Sequence, residues 1–141
     1  MRHLALIVAA AFLLACDPAS FKRFPIDGSP STPPIEQVLR RFEAEHVGGE
    51  LVRAEIPPEI SRAYLNCDCT VLRWYDRDAA VTSGRGSFLY LAVFVDPTGR
   101  LSIATGAFPS LGEPAHLKKL RLALSRHLTE SGFLVHDTEL R

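Results

Sequence analysis

FLYLAVFVDPTGRLSIATGAF, residues 88–108, reads as two β-strands joined by a tight turn. Phe88, Tyr90, Ala92 and Phe94 alternate with Leu89, Leu91, Val93 and Val95, so both faces of the first strand are apolar. A strand of that kind sits in the middle of a sheet with cover on both sides. Asp96-Pro97-Thr98-Gly99 supplies a type I turn, with proline at its second position and glycine for the positive φ that closes a bulged hairpin. Leu101–Ala107 is the returning strand. This hairpin is the expected folding centre, and its neighbours are read by how they cover it.

Downstream, Leu117, Leu120, Leu124 and Leu128 recur at helical spacing, with Ala123 beside them and Lys118, Lys119, Arg126 and Glu130 free to face water. The helix is expected from Glu113 or Pro114 to Ser131. Gly132 then stands as a C′ glycine, and Phe133 as the residue that touches Leu128 in a Schellman motif. Phe133–Val135 is long enough for a short edge strand.

Upstream, Cys69–Asp76 is β-branched and aromatic and reads as a strand, followed by a loop containing Ser83-Gly84-Arg85-Gly86-Ser87. Glu50–Ile56 alternates and ends at Pro57-Pro58, a second strand. Pro58–Asn66 is a turn or short helix. The first long helix should run from Pro33 or Pro34 to Val47, capped by Thr32 and stopped by Gly48-Gly49, with Ile35, Val38, Leu39 and Phe42 on its apolar side. These elements predict an α+β fold: a small antiparallel sheet of about four strands packed with two amphipathic helices. One helix on each face accounts for the doubly apolar central strand.

Residues 16–34 are rich in Pro, Ser and Asp without a helix or strand period and read as a flexible tether, leaving 35–141 as one domain. The 18 residues from Asp17 to Pro34 reach at most roughly 60 Å. Within them Phe21-Lys22-Arg23-Phe24 suits a membrane interface, with rings at the headgroups and cations toward anionic lipid.

The amino terminus has a basic start at Arg2, an apolar run from Leu4 to Leu14 and small Ala15 before a cysteine. The run is too short to span a bilayer. Leu13-Leu14-Ala15-Cys16 resembles the lipobox of bacterial lipoprotein precursors. The resemblance implies a signal peptide over 1–15, a diacylglyceryl thioether and an acylated amino group at Cys16, and a domain in the cell envelope facing the periplasm. Three acyl chains hold a protein stably where one does not. Asp17 resembles the inner-membrane retention signal of enterobacterial lipoproteins.

Lys and Arg together number 16, as do Asp and Glu. The balance gives nothing for nucleic acid to recognise. If Cys16 carries lipid, Cys67 and Cys69 remain in an oxidising compartment, with three readings: a turn-borne disulfide, a redox pair or a soft-metal site. In an extended strand such residues lie about 6.6–6.8 Å apart, so a disulfide needs a turn or bulge there.

His116 and His127 are about 16 Å apart along one helix and cannot share a metal. His46 reads as an ordinary helix-end histidine, and His136-Asp137 is an acid–base pair only if the tail folds over a cleft. The sequence contains no G-x-S-x-G, H-E-x-x-H or P-loop, and no cofactor is called for.

Arg73-Trp74-Tyr75-Asp76-Arg77 carries the residue types enriched at protein–protein hot spots, with Arg73, Tyr75 and Arg77 alternating on one face. Arg85 between glycines can grip a carboxylate or phosphate. The run from strand through Val95-Asp96-Pro97-Thr98-Gly99-Arg100-Leu101 to a Leu-rich helix resembles the core of the periplasmic C-terminal domain of TonB-type energy transducers, which implies a sheet that binds peptides or proteins. The expectation is a lipid-anchored, non-enzymatic module that holds a protein partner, an effector it neutralises or part of an envelope assembly, through Arg73, Tyr75, Arg77 and Arg85. The alternatives are a thiol redox or soft-metal protein using Cys67 and Cys69, and a peptidoglycan- or lipid-binding structural lipoprotein.

Overall fold

The computed structural model describes residues 18–28, 34–77 and 87–140. The signal segment, Cys16, Thr32, Pro33 and the loop carrying Arg85 lie outside them. The elements are β1 (Ser20–Asp27), α1 (Ile35–His46), β2 (Leu51–Arg53), α2 (Pro58–Leu65), β3 (Thr70–Arg77), β4 (Phe88–Val95), β5 (Leu101–Phe108), α3 (Ala115–Glu130) and β6 (Leu134–Val135), then a 3₁₀ turn at Thr138–Leu140. The fold is α+β. Its single antiparallel sheet has six strands rather than about four, in the order β2-β3-β4-β5-β1-β6.

The hairpin is the centre of this sheet. Phe88–Val95 pairs with Leu101–Phe108 without interruption. In its turn Gly99 N–H donates to the Asp96 carbonyl at 2.9 Å, and Gly99 takes φ +87°, which a side chain would resist. The Asp96 carboxylate accepts from Thr98 N–H at 2.9 Å, the Thr98 hydroxyl at 2.6 Å and Arg100 N–H at 3.0 Å, so the turn is bonded from inside. At the end of α3, Phe133 N–H donates to Leu128 O at 3.0 Å and Gly132 N–H to Thr129 O at 3.1 Å. Those two bonds define the Schellman motif.

The tether expectation is corrected at β1. Ser20–Ile26 pairs residue by residue with Leu101–Ala107 of β5 and Asp27 pairs with Leu134 of β6, so eight residues of the expected linker belong to the sheet. Pro25 made the segment read as a breaker. Its carbonyl accepts from His136 N–H at 2.9 Å on the β6 side, so its missing N–H also falls on that side and costs the β5 ladder nothing.

The placement of the helices is corrected as well. Both long helices lie on one face, where Ile35, Val38, Leu39 and Phe42 of α1 and Leu117, Leu120, Leu124 and Leu128 of α3 bury Tyr75, Leu89, Leu91, Val93, Leu101 and Ile103. Six strands at about 4.8 Å spacing are wide enough for two helices about 10 Å apart. The other face is closed by α2, whose Ile60, Tyr64 and Leu65 cover Trp74, Tyr90, Ala92, Phe94 and Ala104. Trp74 stacks on Tyr90 with ring centroids 4.3 Å apart, and Tyr64 meets both edge-on.

Candidate functional site

Arg73 and Tyr75 do not form a partner-binding face. Arg73 and Tyr75 do share a face, but it lies beneath α1: Tyr75 is 0% and Arg73 7% exposed. Arg73 Nε donates to Glu43 Oε1 at 2.8 Å, Nη1 to Glu36 Oε1 at 3.1 Å and Nη1 to Leu72 O at 2.8 Å, while Nη2 bonds Glu36 Oε2. The Tyr75 hydroxyl donates to Glu43 Oε1 at 3.0 Å. The Arg73 bonds hold Glu36 below its ordinary carboxylate range, and burial, reinforced by the Glu43 charge, pushes the Tyr75 phenol up. Arg77 lies at the sheet margin and donates to Glu50 at 3.2 Å. Arg85 is outside the described residues, so the structure brings Arg73 and Tyr75 together inside the fold and leaves Arg77 at the surface.

Cys67 and Cys69 are joined by a disulfide with their Cα atoms 5.2 Å apart. The pair lies in the irregular link between α2, which Asn66 closes in the left-handed region at φ 52°, and β3, which begins at Thr70, so the chain there is not held extended. Arg23 Nη2 stands 4.0 Å from Cys67 Sγ, and its guanidinium lies 5.2 Å from the Phe94 ring centroid. A groove of about 380 Å³ lined by Phe21, Arg23, Tyr64 and Asn66 adjoins this corner.

A second buried arginine escaped the sequence reading. Arg121 is 0% exposed, within the apolar stripe of α3. It donates to Glu113 through Nε at 2.9 Å and Nη2 at 2.8 Å, to Glu139 at 2.6 Å and to Asp137, and its guanidinium lies 4.1 Å from the centroid of the Phe24 ring. Burial alone would weaken its charge, but the bonds to Glu113 and Glu139 outweigh that and hold it. The spacing already carried the signal: Arg121 is four residues after Leu117 and four before Ser125, on the core side. His136 and Asp137 are drawn apart by this network. Asp137 faces Arg121, whereas His136 Nε2 is 2.7 Å from Asp27 Oδ2, so they form no acid–base pair with each other.

Two histidines meet across the helix pair. His46 is the last residue of α1 and His127 lies in the last turn of α3, and their rings sit edge-on with centroids 5.7 Å apart. Both pack on Phe42, at 5.3 and 6.1 Å. Glu45 Oε2 stands 3.2 Å from His127 Nε2 and 3.6 Å from His46 Nε2. No sequence spacing links residues 46 and 127; only the side-by-side packing of α1 and α3 does.

At the β1 start, Pro18 O accepts from Ser110 N–H at 2.8 Å. Leu111, the next residue, is 97% exposed, and Phe21, against Phe88, is 56% exposed. Phe24 and Arg23 do not share this surface, since both side chains are laid on the body of the fold. Among the described residues no helix is long and apolar enough to cross a membrane.

The chain matches no protein-family model, no curated protein and no solved structure.

Proposed function

We propose that this chain is a lipid-anchored, non-enzymatic binding module of the bacterial envelope, attached through Cys16, facing the periplasm and seated directly on the bilayer. The observation that carries the seating is the Pro18–Ser110 hydrogen bond. It fixes the chain at Pro18, and the two residues back to Cys16 span at most about 7 Å. A lipid on Cys16 therefore holds this end of the sheet against the headgroups, in place of a tether that could reach at most roughly 60 Å. Among the described residues, Leu111 and Phe21 are exposed apolar side chains at that end, and Val52 is exposed in the same row as Phe21 on the far edge strand. Lipid is the partner there, and the protein partner is met on the surface turned to the periplasm, away from Arg73 and Tyr75. Membrane fractionation and intact mass of the wild type against Cys16→Ala test the anchor. A mass increase and membrane retention lost together in the variant support it; an unmodified wild-type chain refutes it.

A second reading, a thiol redox protein, is favoured by the Arg23 guanidinium beside Cys67. A neighbouring cation lowers a thiol pKa and makes the thiolate reactive. Titration of the reduced pair decides it: ordinary values near about 8.5 for both thiols exclude this role.

A further inference from the structure

We infer that Glu45, His46 and His127 form a binding site for a divalent transition-metal ion of the zinc class, which would clip the end of α1 to the end of α3. Two imidazoles and a carboxylate are the donor set of Zn²⁺ and its neighbours. At bond lengths of about 2.0–2.1 Å, tetrahedral ligands lie about 3.3 Å from one another. Glu45 Oε2 is 3.2 Å from His127 Nε2 and 3.6 Å from His46 Nε2, and one donor atom from each residue lies within 4.8 Å of the others. The two Glu45 distances match that spacing to within about 0.3 Å, and the imidazole pair has to close by at most about 1.5 Å, a side-chain movement and not a change of fold.

Two further features favour a cation here. All three residues lie in the last turn of a helix, where unpaired carbonyls concentrate negative charge. Both imidazoles also rest on the Phe42 ring, which limits their rotation, and Phe42 is itself 0% exposed. Three protein ligands leave a fourth position for water or for a donor from a partner. The inference does not depend on the lipid anchor.

The test is calorimetric titration of the full chain in detergent, with Zn²⁺ alone as the probe and the disulfide kept oxidised. Glu45→Gln, His46→Ala and His127→Ala are compared with His116→Ala and His136→Ala. One equivalent bound with Kd below about 10 µM, weakened at least tenfold in each of the first three and unchanged in the last two, is the expected result. Glu45 is 60% exposed, so its substitution leaves the fold intact and keeps the test decisive if a histidine variant misfolds. Binding absent from the wild type, undiminished by Glu45→Gln, or lost in the His116 or His136 variants overturns the assignment. Co²⁺ gives an independent reading: an intense tetrahedral visible spectrum supports the site, and the weak spectrum of aqueous Co²⁺ contradicts it.

Discussion

Arg73 Nε donates to Glu43 Oε1 at 2.8 Å, tying the bulged strand β3 to α1. The same carboxylate oxygen accepts from Tyr75, so the two side chains best suited by type to grip a partner are engaged inside the fold instead. Arg73→Met removes the cation that bonds Glu36 and Glu43, leaving Glu43 only the longer contact with Arg53 at 3.9 Å. It should cost about 2–4 kcal/mol in urea unfolding, somewhat below the loss for a fully buried pair because Glu36 is half exposed. Adding Glu43→Gln should cost less than the sum of the single changes. An Arg73→Met protein as stable as wild type would contradict this role.

Arg121 is more completely enclosed, between Glu113, Asp137, Glu139 and the Phe24 ring. Arg121→Met should lose about 3–5 kcal/mol, since it strands buried carboxylates. Arg121→Lys should recover little, because an ammonium cannot span both Glu113 oxygens and stack on the ring. Equal stability of the Lys variant and wild type, measured by denaturant, would refute the bidentate account.

Legibility followed the range of the forces involved. The hairpin, its Asp96 turn and the Gly132 terminus are local patterns, and each stands where the sequence placed it. β1 was hidden because Pro25 and flanking polar residues mask an alternation that only β5 makes meaningful. The Arg73–Tyr75 face was legible as a face, but burial depends on α1, more than 25 residues earlier. Arg121 was legible in principle, as a charge on an apolar stripe. His46 and His127 were not, since nothing local to either predicts the other.

Acid should loosen the fold through the carboxylates bonded in it. The Arg73 bonds depress Glu36, the Arg121 bond depresses Glu139, and the Thr98 hydroxyl, with Arg100 N–H, depresses Asp96. Each folded-state pKa lies below the unfolded value, so the stability they contribute is complete above the ordinary carboxylate range. It is lost as pH falls through that range, from about pH 5 downward. Melting temperature followed from pH 7 to pH 3 should decline over that interval, and the Arg73→Met protein should decline less steeply. A flat profile would contradict the pairing.

Gly106 faces the Tyr90 ring so closely that an added Cβ would collide with it. Gly106→Ala should push Tyr90 off Trp74, lowering stability by about 1–3 kcal/mol and altering the near-ultraviolet circular dichroism of Trp74. An unchanged aromatic spectrum would show that the layer yields without cost.

The seating on the membrane can be read from the two ends of β1, about 23 Å apart. Leu111 stands beside the Ser20 end, through the Ser110–Pro18 bond, and Leu134 pairs with Asp27 at the other end. Both leucines are exposed, and with Cys67 and Cys69 in their disulfide and Cys16 carrying its lipid, an introduced cysteine is the thiol free for labelling. A nitroxide at Leu111→Cys and another at Leu134→Cys, in full chain reconstituted in bilayers, would be compared by relaxation with oxygen in the lipid and a nickel chelate in the water. The account predicts lipid exposure at Leu111 and aqueous exposure at Leu134. Equal aqueous exposure at both positions would contradict it.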